Sequence, residues 1–112
     1  MIEVDEDRFE ALVSSALDSL PPDLASHIDN VAVIIEDGTP ESPLLGLYEG
    51  HPLTQRTLGY ASPPDRITIY RLAICARCTD ETELEEEVRR TVVHEIGHHF
   101  GIDDRRLREL GW

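Results

Sequence analysis

The sequence predicts an α+β fold in one domain spanning residues 1–112, and three observations predict it. Apolar residues recur at helical spacing near the N-terminus, three short β-branched or apolar segments follow between turn residues, and a long helical pattern with an acidic head comes after them. At 112 residues the chain is long enough to bury a core and too short for two of ordinary size.

The elements are justified in order. From Asp5 to Leu20, the residues Phe9, Leu12, Val13, Ala16, Leu17 and Leu20 fall three and four apart, which puts them on one face of a helix that Pro21-Pro22 ends. "NVAVIIED" is apolar and β-branched between Asp29-Asn30 and Asp37-Gly38, so it reads as a buried strand. "LLGLYEG" is expected as a second strand, and His51 to Pro64, with Pro52, Gly59, Pro63 and Pro64, as a long surface loop. "RITIYR" is the third strand, with Ile67 and Ile69 on one face and Thr68 and Tyr70 on the other. Asp80 with Glu83 three residues on resembles a capping box, and the surrounding acidic run suits the positive end of a helix dipole. Leu84, Val88, Val92 and Ile96 carry that helix to about His99 or Phe100, where Gly101 supplies a left-handed stop. A last helix, roughly Asp104 to Leu110, is expected to return Leu107, Leu110 and Trp112 to the core.

Charge and hydropathy exclude several function classes. Asp and Glu number 23 against 10 basic residues, a net charge of -13 that repels phosphate backbones, so nucleic acid is not an expected partner. The longest apolar run, "VAVII", is far short of the roughly 18 residues of a membrane span. The acidic start "MIEVDEDRFE" lacks the basic and apolar regions of a secretory signal, so a cytoplasmic location is expected. In that compartment Cys75 and Cys78, spaced as "CARC", read as two ordinary reduced thiols; a structural zinc would need a second such pair.

The chemistry is concentrated in "HEIGHHFGIDD", His94 to Asp104. His94 and His98 are four apart, so on a helix both imidazoles project from one face toward a single ion. Glu95 lies one position round, beside the open side of that ion, where a base belongs. Gly101 lets the chain reverse, and Asp104 can return to supply an oxygen ligand, leaving a fourth position for water. Zinc bound in this way lowers the pKa of its water from about 15.7 to about 7, and a neighbouring carboxylate can take the proton. The chemistry suggested is hydrolysis of a peptide bond in a peptide or protein substrate. An anionic third ligand lowers the charge on the ion, so the water should be less acidic than with three histidines.

These residues carry a family resemblance. "HEIGHHFGIDD" resembles the zincin signature extended to H-E-x-x-H-x-x-G-x-x-D, and with "LLGLYEGHPLTQRT" and "PDRITIYR" the chain after Val31 is similar to the small bacterial zincin-like metallopeptidases. The resemblance implies a minimal zincin fold: a small mixed sheet against an N-terminal helix and an active-site helix, an edge strand along the cleft, and a short C-terminal helix. It implies zinc (Zn2+) held by His94, His98 and Asp104, with Glu95 as general base. The chain departs from the larger metzincins in having Asp104 where they have histidine, and no Met-turn, Met1 being its one methionine.

Competing readings stand beside these. Asp103 is the rival third ligand, since spacing tolerates a shift of one residue, and its other role is to cap the final helix. His99 faces the packing side and reads as a hydrogen-bonded core histidine. His27 and His51 are expected in exposed loops, and His51, Tyr60 and Tyr70 are candidate donors to a tetrahedral intermediate. The strand edge for a peptide is "LLGLYEG" or "RITIYR" in preference to "VAVII". At the level of function, the alternatives are a metal-binding module with little or no peptidase activity, and a metal-dependent ribonuclease with H-x-x-x-H-x-x-x-x-x-H ligands, which Glu95, Asp104 and the charge disfavour.

Overall fold

The computed structural model describes residues 1–28, 30–50 and 64–110. Helix α1 (Glu6–Asp18) begins where Asp5 accepts the Arg8 N–H at 2.8 Å, and it buries Phe9, Leu12, Val13 and Ala16. A single turn, α2 (Pro22–Ala25), leads to strands β1 (Val31–Glu36), β2 (Gly46–Glu49) and β3 (Asp65–Tyr70). Helix α3 (Arg71–Cys75) comes directly off β3, followed by α4 (Glu81–His99) and α5 (Asp104–Leu110). This is the α+β arrangement expected from the sequence, with a small mixed sheet. No helix among the described residues is long and apolar enough to cross a membrane.

The strand order is β1-β3-β2, β1 parallel and β2 antiparallel to the central β3. Two expectations are corrected here. "VAVII" is an edge strand with every residue only partly covered, and "RITIYR" is the central one, so it has no free edge for a peptide. An apolar run looks the same in a central strand and in an edge strand packed on a helix, so hydropathy could not separate them. Ile67 and Ile69 of β3 are fully buried on the face that meets α4, whose Leu84, Val88, Val92 and Ile96 form the stripe expected from their spacing. Each such side chain, taken wholly out of water, contributes about 1.5–3 kcal/mol.

Between β3 and α4, where the sequence pattern predicts no element, the chain forms α3. Arg71, its first residue, reaches Asp37 at 2.8 Å and the Val4 carbonyl at 2.9 Å, tying the end of β1 and the N-terminal segment to this turn. Cys75 and Cys78 are buried free thiols, and burial raises the pKa of both, so they pack as small apolar groups.

The ends of α4 follow their local chemistry. Asp80 accepts the Glu83 N–H at 2.8 Å, while the Glu83 carboxylate reaches back to Thr79. At the other end Gly101 has φ +81°, its N–H donates to the His98 carbonyl at 2.9 Å, and the Ile102 N–H donates to the Gly97 carbonyl at 3.0 Å. That pair of bonds is the Schellman termination that left-handed glycine permits. It turns the chain sharply enough for α5 to come back against α4. On α5, Leu107 is buried as expected, but Leu110 is 41% exposed and is not a core residue. Trp112 lies outside the described residues, as does most of the expected loop, residues 51–63.

Candidate metal centre

Four successive residues of α4 make one helical turn, which brings the His94 and His98 rings together with centroids 4.9 Å apart. The reversal at Gly101 carries Asp104 to the same place. Asp104 Oδ1 lies 2.9 Å from His94 Nε2 and 3.0 Å from His98 Nε2, although the Asp104 side chain is 68% exposed. Hydrogen bonding to His94 and the nearby imidazoles hold the Asp104 carboxyl below the usual range. Asp103 points elsewhere: its Oδ1 accepts the Arg106 N–H at 2.9 Å and caps α5.

His98 Nδ1 lies 2.9 Å from the Ile102 carbonyl oxygen, which can only accept, so Nδ1 is the donating nitrogen there. The other ring nitrogen, Nε2, faces the Asp104 carboxylate oxygen at 3.0 Å. Donors bound tetrahedrally to one zinc at about 2.0–2.1 Å stand roughly 3.3 Å apart, close to the 2.9 and 3.0 Å that separate Asp104 Oδ1 from the two imidazole nitrogens.

Glu95 occupies the buried side of the cluster. Donor atoms of His94, Glu95 and His98 lie within 4.8 Å of one another. Distance alone would admit Glu95 as a ligand, but among the described residues it is Asp104 that brings one oxygen within about hydrogen-bond range of both Nε2 atoms. Glu95 is 7% exposed, and burial raises its pKa against the opposing pull of His98, His94 and the Tyr48 backbone N–H that donates to it. Strand β2 approaches α4 here because Gly46 has no side chain: a Cβ would sit 2.9 Å from Thr91 Cγ2 and 3.1 Å from Glu95 Cγ. The cleft beside the cluster, about 540 Å³, is lined among others by Gly46, Leu47 and Tyr48 of β2, by Ile102 and by the four cluster residues.

Behind the cluster lies a polar group that sequence reasoning missed. Asp65, 1% exposed, accepts the Tyr48 hydroxyl at 2.5 Å, and the same oxygen lies 2.8 Å from His99 Nδ1. His99 is the core histidine expected from its position, with its ring fully buried. The available signal for Asp65 was its parity, because in a strand residue 65 shares a face with Ile67 and Ile69, both buried. Among the other sequence candidates, His27 is exposed and Tyr70 packs beside Gly38, outside the cleft lining. His51 and Tyr60 fall outside the described residues.

Comparison with known proteins agrees with this geometry. Residues 28–112 match the family described as zincin-like metallopeptidase. Among solved structures, a conserved hypothetical protein from Thermo thermophilus is 23% identical, with a TM-score of 0.56 over 96% of this chain and 97% of that one, which shows a shared fold. No curated protein matches.

Proposed function

This chain belongs to the zincin-like metallopeptidase family, and from that premise we propose that it is a zinc-dependent peptidase in which His94, His98 and Asp104 hold the ion and Glu95 moves the proton. The observation that carries the reading is the convergence of two imidazole Nε2 atoms on Asp104 Oδ1, with the Glu95 carboxyl beside them. Zinc held there would supply Lewis acidity, making water a stronger acid and polarising the scissile carbonyl.

The two carboxylates differ in the way these roles require. Asp104 stays ionised, held low by the imidazoles, as an anionic ligand must. Glu95 is raised by burial, closer to the working pH of a base that takes a proton from water and returns it to the leaving amine. Strand β2 pairs with β3 along one edge, and its residues Gly46 to Tyr48 line the cleft, so an extended peptide can be held by strand addition there.

The test compares the zinc-loaded parent with Glu95→Gln on unfolded protein and mixed peptide substrates. Glu95→Gln should retain one zinc per chain and lose hydrolysis; a variant as active as the parent removes Glu95 from the mechanism. The anionic third ligand favours one second reading, a metal-binding module with little turnover. Stoichiometric zinc in a parent inert toward every substrate would select it.

A further inference from the structure

We infer that Leu107 is a positioning residue for the metal cluster, and that its seat on Gly97 sets where the Asp104 carboxylate lies. The inference rests on the proposed ligand role of Asp104 and concerns what holds that ligand in place. Asp104 has little packing of its own: its side chain is 68% exposed. It starts a helix of seven residues in which six are exposed and Leu107 alone is buried, with no accessible surface. Leu107 stands apart from the main apolar cluster. It lies against Gly97, between Glu95 and His98 on α4, where an added Cβ would overlap Leu107 Cδ2.

The geometry makes this contact a lever. Residues three apart on a helix share a side, so seating Leu107 on α4 turns Asp104 toward the same helix. Gly97 is one residue before His98 and three after His94, so the seat is next to the imidazoles Asp104 must reach. The Gly101 turn brings α5 back; it does not choose the rotation of α5 about its own axis. Leu107 does. The second x of H-E-x-x-H is glycine here because anything larger would lift α5 and its carboxylate away.

The test is a double-mutant cycle on zinc affinity, titrating metal-free parent, Leu107→Ala, Asp104→Ala and the double variant against a chromophoric chelator, with circular dichroism to check folding. Leu107→Ala should weaken zinc about 10–100-fold, as loss of a supporting residue around a metal site does. In the Asp104→Ala background the same change should alter affinity by no more than about twofold, because the residue it acts through is gone. Leu107→Met, close in volume, should restore most of the affinity, and the visible spectrum of Co2+-loaded Leu107→Ala should resemble that of Asp104→Ala. Gly97→Ala, which displaces the leucine without deleting it, runs through the same cycle and decides the matter if Leu107→Ala fails to fold. Equal weakening in both backgrounds, or parent affinity in Leu107→Ala and Gly97→Ala, overturns the inference. A parent that takes up no zinc fails differently, removing the metal site first and the inference with it.

Discussion

Gly46→Ala should loosen the joint between β2 and α4. The added methyl would meet Thr91 Cγ2 at 2.9 Å, Glu95 Cγ at 3.1 Å and the Thr68 carbonyl oxygen at 3.3 Å. None of these yields easily. Thr91 is held by its hydroxyl, which donates to the Glu87 carbonyl at 2.8 Å; Glu95 is buried and takes the Tyr48 N–H; Thr68 is backbone in the central strand. Overpacking of this kind costs about 1–3 kcal/mol. Against it, alanine narrows the unfolded ensemble by about 0.4–1 kcal/mol. The net loss is about 1–2 kcal/mol, which for a domain of about this size lowers Tm by roughly 4–12 °C. The assay is thermal unfolding of the metal-free chain, followed by circular dichroism at neutral pH. Thr91→Ser removes the nearest obstructing carbon, so Gly46→Ala should lose less stability in that background. A Gly46→Ala variant that melts with the parent, or a serine background that recovers nothing, would refute the idea that close approach is why residue 46 is glycine.

Three further outcomes follow from the same geometry. Burial keeps the folded Glu95 carboxyl above its unfolded pKa, so its contribution favours folding at acid pH and is lost as pH rises through the raised value; metal-free Glu95→Gln should out-melt the parent near neutrality, the gap closing toward about pH 4, and a gap that ignores pH would contradict this. Zinc at a hundred times its dissociation constant should add about 2.7 kcal/mol to stability, reversed by a chelator, and a Tm indifferent to both would argue against a native-state site. Asp103→Ala should cost about 1 kcal/mol of stability through the lost cap and leave zinc affinity near the parent's, whereas Asp104→Ala should weaken zinc binding to an affinity still measurable by chelator competition; if Asp103→Ala is the one that weakens it, the third ligand is misassigned.

What the sequence made legible was local. The α1 and α4 stripes, the Asp80 cap, the glycine stop and the pairing of His94 with His98 are set by residues within a turn or two of each other, and the helix repeat alone places them. Asp104 could be nominated from spacing because the turn before it is short and its glycine is specific. The order of the strands could not, since pairing β1 with β3 joins segments over thirty residues apart and an apolar run does not announce which neighbour it will take. Residues that meet only in the fold were missed for the same reason: Tyr48, Asp65 and His99 come from three elements, and Leu107 meets Gly97 across a reversal that periodicity does not describe. Leu110 was misjudged because a seven-residue helix held at one point turns only a narrow strip inward.

The shared oxygen of Asp65 ties the histories of three positions together. Replacing Tyr48 or His99 takes a partner from the buried Asp65, and replacing Asp65 takes one from the buried His99, each a loss with little water to make it good. Substitutions at these sites should therefore accumulate in concert, and a relative carrying an apolar residue at one of them is expected to have altered the others as well.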